Sequence, residues 1–204
     1  PERSGRAGYS SVSDEMIRKM TSSFMNEILQ QQPTAPSEEI VKEEVVVIKE
    51  ANTDNLIFQM VELASYLYHL NLQAHLIHLN LEAPYFLAVH KFLKKQYQQH
   101  IDDFDTLAEL VRSMDYLMPM CQKGLLGQYK NFKMTKTYDA DESLVLYVKN
   151  LEAGGFMAKE VYEAAQEVGA PDVENHLAEI VGNLFKGAWM LKSTLRGGNP
   201  TASK

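Results

Sequence analysis

Four stretches of this chain carry apolar residues at steps of three and four, and that repeat constrains the fold more than anything else in the sequence. Leu56, Met60, Leu63, Leu67, Leu70, Ala74 and Ile77 line up on one face for about six turns. Asn80–Pro84 (NLEAP) then ends the run, because the residue before a proline is pushed out of the α region. A second helix is expected from about Tyr85 to Met114, with Phe86, Val89, Leu93, Tyr97, Ile101, Phe104, Ala108 and Val111 inward. A third is expected from about Asp141 to Val168, carrying Leu144, Val148, Leu151, Val161, Ala165 and Val168, with Gly154 and Gly155 predicted to weaken and bend its middle. Gly169-Ala170-Pro171 separates it from a fourth, where Val173, Leu177, Ile180, Leu184, Ala188, Leu191 and Leu195 keep phase up to Gly197-Gly198. Four amphipathic helices of ~25 residues with one longer connection, residues 115–140, predict an all-α four-helix bundle with a single crossover.

The partition expected from the pattern is an N-terminal extension over 1–52, the bundle over 53–196 and a flexible tail over 197–204. Within the extension, residues 1–12 are small and polar and suit a mobile tail. Ser13 could cap a short helix bearing Met16, Ile17, Met20, Phe24, Ile28 and Leu29, and Pro33 and Pro36 mark a linker. Residues 40–48 (IVKEEVVVI) fit a strand or a helix equally well.

At 204 residues the chain is long enough for one well-buried core plus an extension. No run approaches the ~20 apolar residues of a membrane span, and no apolar stretch follows Arg3 and Arg6, so neither a membrane anchor nor a signal peptide is expected. The one cysteine, Cys121, cannot form an internal disulfide, which fits a cytoplasmic location. A net charge of −7 argues against a broad nucleic-acid surface and suits a protein that attracts cations.

The residues that carry chemistry lie between 75 and 109. His78, His90, Asp105 and Glu109 are all ligand types for iron or zinc. Asp105 and Glu109 are four apart and project from one helix face. His90 and Asp105 are separated by ~22 Å along an unbroken helix, so they cannot share one ion within one subunit. The geometry closes if a second copy lies antiparallel across a two-fold axis, which makes two equivalent sites per dimer.

His78, His90, Asp105 and Glu109 keep the spacing H-x11-H-x3-D-x10-D-x3-E, and this stretch resembles the ferroxidase signature of the Dps family of mini-ferritins. The resemblance is continuous over roughly residues 56–114. It implies a ferritin-like homo-dodecamer built from two-fold dimers, with sites at the dimer interfaces. There Fe(II) is oxidised, preferentially by hydrogen peroxide, and ferric mineral is stored inside, which protects against oxidative stress. His78 and His90 of one subunit, with Asp105 and Glu109 of its mate, are then both the metal ligands and the catalytic residues.

Two positions depart from the family pattern. Lys94 stands where the family has a carboxylate, and an ammonium has no lone pair to offer a metal. Asp102, Asp103, His75 or His100 would be the compensating groups. Leu79 stands where many members have a tryptophan that absorbs stray oxidising equivalents, leaving Tyr97 or Tyr66 for that role. These departures keep open an alternative: a shell with an altered or inactive centre that holds zinc, or that shields DNA structurally. A plain interaction bundle with no cage is the other alternative.

Other candidates have plainer readings. His69, His75, His100 and His176 read as ordinary buried or boundary histidines, Asp102 and Asp103 as surface residues, and Tyr66, Tyr68 and Tyr97 as packing. Asp139, Asp141 and Glu142 fit the positive end of a helix dipole, and the resemblance implies equally that they line a cation pore. DNA binding through the termini is weakly supported. The first 20 residues carry a net charge of only +1, and residues 190–204 hold Lys192, Arg196 and Lys204 without an acid.

Overall fold

A computed structural model describes residues 38–196 of the chain. The tail over 1–12, the helix expected after Ser13, the Pro33–Pro36 linker and the C-terminal tail over 197–204 lie outside the described residues. Five helices occur in the order α1 (Glu38–Asn80), α2 (Phe86–Ser113), α3 (Gln122–Leu126), α4 (Ala140–Val168) and α5 (Pro171–Leu195), with no strand among the described residues. The ambiguous 40–48 stretch is helical, and the helix expected from Thr53 begins at Glu38. The chain divides into two compact units after Val45, and the helical bundle belongs to the unit from Val46 onward.

The helix ends follow from local chemistry. Residues 81–85 break α1 from α2, and the Phe86 amide closes the turn on the Ala83 carbonyl at 2.9 Å. Asp139 caps α4 by accepting the Glu142 amide at 2.7 Å, one of the donors a helix start leaves unpaired. Gly169 ends α4 at φ 75°, the left-handed conformation in which a side chain would be strained, and donates to the Ala165 carbonyl. Pro171 then opens α5, where its missing N–H costs nothing.

Paired contacts give the topology. His78 faces His90 and Asn71 reaches the Tyr97 carbonyl, so α1 and α2 are antiparallel. Asn150 meets both Tyr66 and Gln73, and a pocket joins residues 55–62 to residues 157–167, so α4 is antiparallel to α1. Glu152 pairs with Lys192 and Phe156 packs edge-on against Phe185, so α5 is antiparallel to α4. It follows that α2 and α4 point the same way. The connection between them must therefore travel the length of the bundle, as in ferritin-like folds.

That crossover is pinned along its path. His69 Nε2 donates to the Leu126 carbonyl at 3.3 Å, and Ser65 accepts the Tyr129 amide at 3.2 Å. The fully buried Gln73 and the buried Asn150 both donate to the Lys133 carbonyl, at 3.2 and 2.9 Å. Phe132 stacks on His69 and meets Tyr66 edge-on.

The core is the one the helical phase predicts on α1, α4 and α5. Leu56, Met60, Leu63, Leu67, Leu70, Leu144, Leu151, Leu177, Ile180 and Leu184 are all fully buried, each contributing ~1.5–3 kcal/mol of burial. Gly154 and Gly155 serve close packing: α4 continues through both of them. A Cβ at Gly154 would sit 2.9 Å from the Tyr66 ring, and one at Gly155 would sit 2.8 Å from Phe185. On α2 the inward face agrees with the expected one at Val89, Leu93 and Val111 and is shifted by one residue between them. Val89, Leu93, His100, Asp103, Leu107 and Val111 are buried, whereas Phe86 is exposed and Tyr97, Ile101, Phe104 and Ala108 are half-buried.

Candidate functional site

The antiparallel register of α1 and α2 places His78, in the last turn of α1, beside His90, near the start of α2. Their rings stack with centroids 3.8 Å apart and planes 19° from parallel. His78 Nδ1 lies 2.9 Å from the His90 carbonyl, and His90 Nδ1 lies 3.1 Å from the His78 carbonyl. A carbonyl can only accept, so each Nδ1 carries the hydrogen and donates it. The uncharged form of each ring then has its lone pair on Nε2. Imidazoles that ligate metals are commonly held this way, with one nitrogen tied to a carbonyl and the other left free. The pair is packed on both sides: Phe86 lies 4.8 Å from His90, and Tyr97 meets His78 edge-on at 5.4 Å. His75 is exposed and stacks on Tyr97 at 4.3 Å.

Asp105 and Glu109 are both exposed, several turns further along α2. Lys94 is exposed one turn after His90. Among the described residues, no group of three or more His, Cys, Asp or Glu lies close enough to hold a metal ion. One chain therefore brings the two imidazoles together and leaves the two carboxylates apart from them. An apolar surface surrounds the imidazoles: Leu79 is 65% exposed and Leu87 72%, with Leu76 and Phe86 beside them. The Leu79 side chain thus faces outward.

Asp139, Asp141 and Glu142 all sit at the exposed start of α4. Asp139 is engaged as the cap, and Asp141 accepts a hydrogen bond from the Tyr85 hydroxyl. Partial burial, and then that carboxylate, raise the Tyr85 phenol to about 12.

Two ionisable residues of α2, Asp103 and His100, are buried in the bundle. Asp102 is exposed as expected, but Asp103 is only 3% exposed, which corrects its reading as a surface residue. It accepts from Gln99 at 2.9 Å, its carbonyl takes the His176 Nε2 hydrogen at 3.2 Å, and its second carboxylate oxygen has no partner. Burial pushes its carboxyl above the usual range. His100 is 2% exposed, with Nε2 2.7 Å from the Tyr147 hydroxyl, and burial lowers it to about 3. Neither residue therefore compensates for Lys94 at the exposed surface. A signal for both was present in the sequence: positions 89, 93, 100, 103, 107 and 111 keep steps of three, four and seven, and both polar residues fall on that stripe.

A family model described as ferritin-like domain matches residues 59–199. The chain belongs to the ferritin-like family. Among solved structures similar to this ferritin-like chain is Dps from Thermosynechococcus elongatus. It is 17% identical at a TM-score of 0.71, covering 76% of this chain and 99% of its own. Dps from Vibrio cholerae O1, described as a member of a broad superfamily of ferritin-like diiron-carboxylate proteins, is 18% identical at 0.66, covering 71% and 91%. A dodecameric thioferritin, the bacterioferritin-related protein of Bacteroides fragilis, is 13% identical at 0.68, covering 76% and 93%. At these identities the likeness establishes the all-α ferritin-like fold that the helical pattern predicted. No curated protein sequence matches the chain.

Proposed function

We propose that this ferritin-like chain is a Dps-type mini-ferritin that oxidises Fe(II) at sites shared between two subunits. His78 and His90 of one subunit would hold the ions together with Asp105 and Glu109 of its two-fold mate. The oxidant is hydrogen peroxide, and the ferric product is stored inside a cytoplasmic homo-dodecamer. Iron here is substrate and cargo. The observation that carries the reading is the reciprocal clamp on the two imidazoles, which leaves both Nε2 atoms without a hydrogen-bond partner among the described residues, with His78 buried, His90 half-buried, and Leu79, Leu87 and Phe86 exposed close by in sequence. Apolar patches of that kind mark interfaces. The relatives' descriptions as dodecameric and diiron-carboxylate proteins support the same assembly and metal.

In this reading the carboxylates and imidazoles bind two ferrous ions close together, and peroxide takes one electron from each. The backbone carbonyls of His78 and His90 fix the ring orientation, which preorganises the nitrogen half of the site. A half-site on one chain has too few ligands to hold an ion, so assembly is a condition of activity.

Complementation tests the shared site. His78→Ala/His90→Ala chains alone, and Asp105→Asn/Glu109→Gln chains alone, should oxidise iron no faster than buffer. In mixed dimers one of the two sites is intact, so co-assembly should restore up to about half of the wild-type rate. Mixed shells as inactive as their parents would sink the shared-site reading.

A second reading rests on Lys94, whose exposed ammonium stands one turn from His90 on α2. An ammonium has no lone pair to complete the family's ligand set, and the shell would then be a zinc-binding or DNA-shielding container without ferroxidase activity. Anaerobic Fe(II) loading followed by peroxide separates the two readings, since only the first gives ferric absorbance above the buffer control.

A further inference from the structure

Tyr147 is fully buried on α4 and His100 is 2% exposed on α2, with the phenol oxygen 2.7 Å from His100 Nε2. Nothing in the iron site uses either residue. His100 Nδ1 has no hydrogen-bond partner, so either direction of the bond leaves one buried hydrogen and one buried acceptor unpaired. Acidity selects between them: a phenol, with an ordinary pKa of about 10, is a far stronger acid than a neutral imidazole N–H, and an imidazole nitrogen is a far stronger base than a phenol oxygen. Tyr147 is therefore the donor. Its hydroxyl hydrogen points at a basic nitrogen in a dry interior.

We infer that Tyr147 is an internal one-electron donor whose phenol proton passes to His100 Nε2 as the electron leaves. The O–H bond of Tyr147 breaks, the N–H bond of His100 forms, and the products are a phenoxyl radical and an imidazolium. The electron reduces a hydroxyl radical, formed when peroxide meets Fe(II), to hydroxide. For that oxidant alone the inference rests on the ferroxidase reading. At rest the pair is uncharged, since burial holds His100 down and raises the Tyr147 phenol well above its ordinary value. The proton therefore has no reason to move until the ring is oxidised, and only His100 is placed to take it.

Among the described residues, three other phenols donate hydrogen bonds, and they differ in this respect. Tyr66, also buried, donates to the Asn150 carbonyl at 2.8 Å, and an amide oxygen is too weak a base to keep a proton. Tyr85 and Tyr116 donate to carboxylates at the exposed surface, where a radical would meet solvent. His100 lies ten residues from His90 and five from Asp105, so ~15 Å and ~7.5 Å of α2 separate it from the two halves of the iron site. An oxidising equivalent that escapes the metal would end on a ring shielded from water.

The test uses the full metal-free chain, oxidised with a photogenerated ruthenium(III) polypyridyl complex and frozen for electron paramagnetic resonance. A tyrosyl signal is expected that persists in Tyr97→Phe and is lost in Tyr147→Phe, with circular dichroism confirming the fold of each variant. High-field spectra of the wild-type chain should report a hydrogen bond to the phenoxyl oxygen, which disappears in His100→Leu. A tyrosyl signal that survives Tyr147→Phe, a wild-type radical with no hydrogen bond, or no tyrosyl signal at all would overturn the inference. The high-field measurement needs no variant. Because this arm contains no iron, it is decided separately from the ferroxidase reading; repeating it with Fe(II) and peroxide then joins the two.

Discussion

Single side chains show most clearly where a sequence pattern reads correctly and where it misleads. The pairing of His78 with His90 is not legible from spacing alone, since it depends on a five-residue turn setting the register of two helices. The family resemblance singled these residues out, and the structure brings them together. Asp103 escaped because neighbouring Asp102 and Asp105 make it look like part of a solvated face, although its phase places it inward. His100 offers a direct physical check. It is uncharged when folded down to about pH 3, whereas an unfolded histidine titrates near 6.5. Its contribution to stability is complete above pH 6.5. As pH falls from 6.5 towards 3, only the unfolded chain takes up the proton, and stability drops by ~1.4 kcal/mol per pH unit. Asp103, raised by burial, acts in the opposite sense, since its folded form takes up a proton before the unfolded one. Urea denaturation of the wild type and His100→Gln at pH 7 and pH 5 should show a smaller loss in the variant; equal losses would contradict the buried, neutral imidazole.

Helices and their junctions were mostly readable because each carries its own start and stop chemistry. Asp139, Gly169 and Pro171 end or begin helices within a residue or two of the expected positions. The start of α1 was not readable: residues 40–48 lack a distinguishing period, and the cue at Thr53 was only where the apolar stripe becomes regular. Gly154 has a packing role that its helix propensity does not reveal. Glycine weakens an isolated helix by ~1 kcal/mol, but here its missing side chain admits the Tyr66 ring. Gly154→Val should destabilise the bundle by about 1–3 kcal/mol, because the Tyr66 hydroxyl is tied to Asn150 and the ring cannot easily retreat. A thermal midpoint unchanged within error would show that the ring moves freely. α2 was placed correctly as an element, and Val89, Leu93 and Val111 are buried as expected, but between them the buried positions are His100, Asp103 and Leu107, one residue before the expected Ile101, Phe104 and Ala108.

For the whole molecule, the proposed shared site requires a second copy of the chain. His78 on α1 and His90 on α2 stack together, whereas Asp105 and Glu109 lie further along α2 and do not converge with them among the described residues. The crossover topology and bundle membership could be read from sequence because they follow from four stripes and one long connection. A two-fold pairing is expected from the ~22 Å of helix between His90 and Asp105, whereas the size of the shell comes from the family resemblance alone. No helix among the described residues is long and apolar enough to cross a membrane. Light-scattering mass in solution should be about 280 kDa, twelve times the 23.1 kDa chain. A value of two chains would remove the container, and a value of one chain would remove the shared site as well.

The junction at Gly169-Ala170 also bears on how the chain reaches its native state. Two residues suffice to fold α5 back on α4, so that helical hairpin forms at small loop-closure cost. Bringing α2 parallel to α4 requires closing the much longer crossover before its anchors at Gln73 and Asn150 can engage. The folding nucleus is therefore expected in α4–α5, with the crossover docking late. Destabilising changes at Leu151 or Leu184 should slow refolding, whereas Asn150→Ala, which loosens the crossover, should mainly speed unfolding. Stopped-flow refolding that shows the reverse order would place the nucleus elsewhere.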